Sequence, residues 1–263
     1  MSDRRWAVIL GASSGFGAAT ARAFAREGWA IFGAHMDRRG AFPQIEALVE
    51  ELRGHDVPVV FHNANAASDE GREAALAALG QAMGEGDTVG VLLHSLAFGT
   101  LRPLFGEDDD EPVLGRRHIE MTLDVMANSL VYWAQDLVAR GLLGHGGRIY
   151  AMTSSGSLAA WPAYGAVSAA KSALEAYVRQ LAIELAPRGI TANAIMAGVT
   201  QTPALEKIPG AQEIARRALD RNPHGRLTTP DDVARCLVEL ARPGTAWLTG
   251  NVLRVDGGES VSG

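Results

Sequence analysis

The chain contains one cysteine. Cys236 stands alone among 263 residues, which excludes an internal disulfide and a cysteine-based metal site and fits a reducing cytoplasmic setting. An excess of positive charge is also missing. The 24 Lys and Arg against 30 Asp and Glu leave a net charge of −6, which argues against a polyanion-binding surface and so against nucleic acid as a partner. A secretory leader is not recognisable. Arg4 and Arg5 precede the apolar run 6–10, but the run is short and leads straight into a glycine-rich turn. The charge-free stretch 149–170 is long enough to span a bilayer. However, Thr153, Ser154, Ser155, Gly156, Ser157 and Pro162 interrupt it, so it reads as a buried strand and a polar loop, and no membrane span is expected. Repeats and interdomain linkers are absent too. The one low-complexity patch is the acidic run 107–111 between Gly106 and Pro112. Adjacent acids repel and resist packing, so it reads as a solvated loop. With no histidine or spaced-ligand pattern beside it, no metal site is expected there or elsewhere.

What is present is enough apolar material, 47% of residues, for one α/β domain with a substantial core. Strand-like runs at 7–10, 30–34, 57–61, 88–94, 147–153, 191–196 and 251–255 alternate with Ala-rich amphipathic segments. Those segments lie at 17–27, 44–53, 69–83, 116–140 and 163–186. This alternation predicts a single doubly wound α/β domain over 1–263, with a seven-stranded parallel sheet flanked by helices on both faces.

The turn Gly11-Ala12-Ser13-Ser14-Gly15-Phe16-Gly17 lies between the first strand and the first helix. Its glycines permit a tight turn and let backbone N–H groups approach a pyrophosphate at a helix N-terminus. The end of the second strand, where NAD-binding sheets often carry a ribose-binding acid, falls near His35. Asp37 comes two residues later, followed by Arg38 and Arg39. A missing acid plus two guanidinium groups favours a 2′-phosphate, so NADPH is the expected cofactor, with NADH the alternative.

Tyr164 and Lys171 are seven residues apart. On an ideal helix, seven steps leave two side chains roughly 20° apart on one face, whereas four steps leave about 40° and a tyrosine nearly a turn closer. The spacing bears on the bond reduced. In a ketone, the carbon that accepts hydride and the oxygen that gains charge are bonded neighbours. In an α,β-unsaturated thioester, hydride goes to Cβ and charge develops on an oxygen three bonds away. A tyrosine three residues earlier moves its backbone by about 4.5 Å, a displacement of the right kind.

These motifs resemble the short-chain dehydrogenase/reductase family over residues 6–258. The resemblance is carried by the Gly11/Gly15/Gly17 turn, Leu93-His94-Ser95-Leu96-Ala97, the serine before the Tyr/Lys helix, and the segment from Gly250 to Gly258 ending Val255-Asp256-Gly257-Gly258. It implies a Rossmann-like fold. Most of that family places its tyrosine four residues before the lysine, where this chain has Val167. Tyr164 instead stands where the enoyl-acyl-carrier-protein reductase branch has its tyrosine. His94-Ser95-Leu96-Ala97-Phe98 and Met196-Ala197-Gly198 resemble that branch's versions of the fourth-strand end and of the turn after the sixth strand. Gly99-Thr100-Leu101-Arg102-Pro103-Leu104, Ser154–Ser157 and Glu184-Leu185-Ala186-Pro187 look closest to the NADPH-using type found in some bacilli. The family's helix-four asparagine would fall near Met126, a loss that enoyl reductases share. The acidic run looks like an insertion.

The resemblance implies reduction of the C=C bond of a trans-2-enoyl thioester in fatty acid or polyketide biosynthesis. Tyr164 would donate to the thioester oxygen. Lys171 would bind the cofactor ribose and favour the phenolate. Ser154 would assist the oxygen or shape the pocket, and Phe98 would meet the substrate. Gly11, Ser13, Ser14, Gly15, Phe16, Gly17, His35, Arg38, Ser95, Leu96 and Ala97 would line the dinucleotide. Asn65 and Ala66 would flank its adenine, and Gly198, Val199 and Thr202 its carboxamide. A helical lid would cover 203–225. Its Arg216, Arg217 and Arg221 would either meet an acidic acyl carrier protein or simply be solvated. His94 reads as a packed residue rather than a base. A homotetramer follows from the resemblance alone. A carbonyl reductase, such as a 3-oxoacyl thioester reductase, and a non-catalytic nucleotide sensor stay open as alternatives.

Overall fold

The computed structural model describes residues 3–108 and 110–262, so Asp109 of the acidic run lies outside the described residues. Seven parallel strands form one sheet in the order β3-β2-β1-β4-β5-β6-β7. They are β1 (Arg5–Leu10), β2 (Ala30–His35), β3 (Val59–Asn63), β4 (Thr88–His94), β5 (Leu143–Thr153), β6 (Thr191–Ala197) and β7 (Val252–Val255). The order reverses between β1 and β4, so a crevice opens at the C-terminal ends of these two strands.

The period-two alternation of β1 assigns the layers. Trp6, Val8 and Leu10 face a core completed by α3 (Asp69–Ala82), α5 (Ser129–Ala139) and α6 (Gly165–Leu185). Ala7 and Ile9 face the opposite core, with α1 (Gly15–Arg26), α2 (Phe42–Arg53) and α8 (Pro230–Leu240). The remaining helices are α4 (Arg116–Leu123) and α7 (Ala211–Arg221). No described helix is long and apolar enough to cross a membrane.

Three elements differ from the sequence expectation. The predicted helix 116–140 is interrupted by a π-helical turn, Asp124–Asn128, that joins α4 to α5. The predicted helix 163–186 starts only at Gly165, because Ala163 holds a left-handed φ of +58° that a right-handed helix does not admit. Helix α8 was not anticipated. Its start is written in Thr229-Pro230-Asp231-Asp232, where the Thr229 hydroxyl accepts from Asp232 N and the Asp232 carboxylate accepts from Thr229 N.

Candidate active site

The crevice is a cleft of about 320 Å3 whose wall brings together Gly11, Ser13, Ser14, Gly15, Phe16, His35, Asn65, Ala66, Ser95, Leu96, Ala97, Phe98, Ser154, Tyr164, Lys171 and Thr202. An adjoining cavity of about 150 Å3 shares Phe16, Ser154 and Tyr164 and contains Gly198 and Val199. Three expected positions behave otherwise. Gly17 is in neither wall; a Cβ there would collide with the Gly11 carbonyl, so its role is to let α1 pack against the turn. Arg38 is exposed and outside both walls, as is Arg39. The Val199 N–H donates to the Glu259 carboxylate at 3.0 Å.

The glycine turn is built for close approach. Gly11 has φ +87°, and a Cβ on it would lie 2.5 Å from the Ser95 carbonyl oxygen. Ser14 is the N-cap of α1 and makes no side-chain cap bond, so the first-turn N–H groups and the positive end of the helix dipole face the cleft. This cradle suits a pyrophosphate. Asp37 is in the wall instead of Arg38, with its carboxylate 3.0 Å from His35 Nδ1. The sequence signal for it was weak, because β2 ends at His35 and Asp37 belongs to the loop beyond.

Tyr164 is not inside a helix. It is the N-cap residue of α6, at φ −99° and ψ 2°, and its carbonyl accepts from Ser168 N at 2.8 Å. The Ser168 hydroxyl donates to the Gly156 carbonyl, and Gly156 leaves room for the Tyr164 ring where a Cβ would collide. Burial raises the Tyr164 phenol above its ordinary pKa, with the Ser154 hydroxyl pulling the other way. The expected drive of Lys171 towards phenolate therefore does not govern this group, and the phenol is a hydrogen-bond donor.

Lys171 is enclosed, and its Nζ donates to the Met152 carbonyl at 2.7 Å. Burial drives its pKa down to about 8, with Glu175 opposing. Ser154 follows the last residue of β5, and its hydroxyl accepts from Gly156 N at 3.3 Å. Val167, four residues before Lys171, is 4% exposed and packs in the core. His94 is fully buried and held at about 3, by burial first and the Lys171 charge second. The Ser129 hydroxyl donates to the Val125 carbonyl, so it accepts from His94 Nε2 at 2.8 Å. As expected, His94 is packed rather than a base.

Sequence reasoning missed several wall residues. The π-helical turn turns Val125 and Met126 to the cleft; such turns are frequent at functional sites and have no strong sequence signature. Trp161, Leu205, Ile208 and Ile214 make the adjoining cavity largely apolar. Arg216 and Arg217 pair with Glu213, Arg216 also with Asp220, and Arg221 donates to backbone carbonyls of the C-terminal segment. In the acidic run, Glu107 N donates to the Glu111 carboxylate and Asp110 N to Asp108. Among the described residues no cluster of His, Cys, Asp and Glu is arranged to hold a metal.

Known proteins similar to the chain include enoyl reductases and other oxidoreductases. A family model described as enoyl-(acyl carrier protein) reductase matches residues 11–260. The chain is 30% identical to 1-cyclohexenylcarbonyl-CoA reductase of Streptomyces collinus, over 99% of this chain and 89% of that protein. It is equally 30% identical to the (2S)-((R)-hydroxy(phenyl)methyl)succinyl-CoA dehydrogenase subunit BbsD of Thauera aromatica, over 98% of each. The crystal structure of an enoyl-acyl-carrier-protein reductase (NADH) from Aquifex aeolicus superposes with TM-score 0.82 at 26% identity, covering 99% of this chain and 97% of that one.

Proposed function

The chain belongs to the enoyl-(acyl carrier protein) reductase family of short-chain dehydrogenases/reductases, and on that premise we propose that this oxidoreductase reduces the C=C bond of a trans-2-enoyl thioester with NAD(P)H. The observation that carries the proposal is the Tyr164 phenol in the cleft wall with buried Lys171, while apolar Val167 fills the core position four residues before the lysine.

When bound, the reduced nicotinamide would supply hydride to Cβ of the substrate, and a proton taken up at Cα from solvent would complete the reduction. Tyr164 donates a hydrogen bond to the thioester oxygen as charge develops there, in a partly buried setting where that bond is strong. Its raised pKa keeps the proton in place for this role. Lys171 donates to the cofactor ribose. The N-terminus of α1 holds the pyrophosphate. Phe98 and the apolar side chains Trp161, Leu205, Ile208 and Ile214 exclude water around the acyl chain. Segment 203–225 acts as a lid, and the thioester is carried on coenzyme A or an acyl carrier protein.

For the dinucleotide, Asp37 supports NADH. A carboxylate in that wall accepts from ribose hydroxyls and repels a 2′-phosphate. The sequence-based expectation of NADPH rested on Arg38 and Arg39, which stand exposed outside the wall. One observation favours a second reading, carbonyl reduction: Ser154 lies beside Tyr164 in both cavity walls.

The test is oxidation of the reduced cofactor, followed by its absorbance, with crotonyl-CoA, longer enoyl thioesters and 3-oxoacyl thioesters, each with NADH and NADPH. Turnover of enoyl substrates is expected. Replacing Tyr164 by Phe should lower kcat about 100-fold or more and leave cofactor affinity in place. Turnover confined to 3-oxoacyl thioesters overturns the C=C assignment, and a higher kcat/KM with NADPH overturns the cofactor preference.

A further inference from the structure

Lys171 is enclosed, and one carboxylate shares its enclosure. Glu175 sits one turn further along α6, is 8% exposed, and accepts a 2.6 Å hydrogen bond from the Thr153 hydroxyl. Lys171 Nζ donates to the carbonyl of Met152. Two side chains a turn apart on α6 thus grip two consecutive residues of β5, and the next residue in the chain is Ser154. The proposed chemistry does not use Glu175. Burying a carboxylate is costly unless it is bonded or compensates a charge nearby.

The groups facing Lys171 from each neighbouring element single out this carboxylate. His94 at the end of β4 is neutral, since burial first and the Lys171 charge second hold it at about 3. Of the π-helical turn, Val125 and Met126 are apolar, and the Asp124 carboxylate accepts from the Tyr132 hydroxyl and the Asn128 amide. Tyr164 at the N-cap of α6 is an un-ionised phenol. From β5 the partners are the Met152 carbonyl and, through Glu175, the Thr153 hydroxyl. Glu175 is the anion whose charge acts on Lys171.

We propose that Glu175 is a positioning residue: it keeps Lys171 charged for the cofactor ribose and, through Thr153, fixes the end of β5 that carries Ser154. This rests on the reading that Lys171 holds that ribose. Burial drives the Lys171 ammonium down to about 8, and the Glu175 charge is what opposes the fall. Glu175→Gln keeps an acceptor for Thr153 and deletes the charge. Thr153→Val deletes the hydrogen bond that holds the Glu175 carboxylate in place on the Lys171 side of α6. Thr153→Ser keeps the hydroxyl.

The experiment is titration of NADH binding by nicotinamide fluorescence, without turnover, from about pH 6 to about pH 9.5. The wild-type affinity should fall through a midpoint near the Lys171 value of about 8. In Glu175→Gln the midpoint should drop by about one unit. Thr153→Val should shift it in the same direction and Thr153→Ser should restore it. An unshifted midpoint in Glu175→Gln overturns the proposal. If that variant does not fold, equal midpoints in Thr153→Val and Thr153→Ser overturn it instead. Lys171→Met separates the two levels: undiminished NADH binding refutes the ribose reading itself, whereas weakened binding with no shift in Glu175→Gln refutes only the role of Glu175.

Discussion

Ala163 holds the backbone at φ +58°, directly before the tyrosine on which the proposed chemistry turns. An L-residue in that region is strained by about 1–2 kcal/mol, and such strain persists where the surroundings over-determine it, often at functional sites. Here the bend swings Tyr164 out of line with α6 and into the cap position. Ala163→Gly should therefore raise stability by about 0.5–1 kcal/mol in urea unfolding, the strain relief exceeding the added freedom of the unfolded chain. It should also lower kcat, because the tyrosine loses a rigid anchor. Loss of stability in that variant would show that no strain is held there. The sequence singled out Tyr164, Lys171, Ser154 and the apolar Val167, since hydroxyl, amine and isopropyl groups announce their chemistry, and the fold brings the first three into one cleft wall. It gave no sign of the left-handed residue, because a φ angle is set by what the loop must connect. Nor could it weigh burial, which raises the Tyr164 phenol, against the Lys171 charge, because how far the phenol is buried depends on packing around it.

At the scale of elements, α8 owes its start to a reciprocal cap. Arg226 holds the Asp232 carboxyl well below the usual carboxylate range, and the bonds from Thr229 reinforce it. A folded-state pKa below the unfolded value of 3.8 contributes stability that is present above that value and lost as pH falls through the folded one. The melting temperature of the wild type should thus decline on acidification below about pH 4. Asp232→Asn should start lower at neutral pH, by roughly the 1 kcal/mol typical of a lost cap, and decline less. Parallel acid limbs in calorimetry would mean that other carboxylates carry the effect. Seven alternating strands were read from the chain, whereas the capping box at Thr229 was passed over although its residues stand in the sequence. Not legible was the π-helical turn between α4 and α5, because its apolar periodicity matches a continuous helix and the extra residue per turn is fixed by packing on the cleft.

For the whole molecule, apolar surface remains uncovered on the elements through which a homotetramer would pack. Trp247 is 97% exposed just before edge strand β7, Ile183 is 71% exposed on α6, and Val252 begins β7 at 37%. A bare parallel edge beside a large apolar side chain is a surface that soluble proteins cover. Light scattering after size exclusion should give about four chain masses, and Trp247→Glu should shift the protein to smaller species; a wild-type monomer would refute the assembly. The amino-acid sequence by itself determined the class of fold, the glycine turn and the family, and it offered candidate reactive residues, since periodicity, φ-permissive glycines and side-chain chemistry are local properties carried in the chain. Only the tertiary structure decided which neighbours those residues meet. It put Asp37 rather than Arg38 in the cleft wall, gave the Val199 N–H to Glu259, and enclosed Lys171 with Glu175. These depend on where separate strands and helices converge, and on how much water that convergence removes.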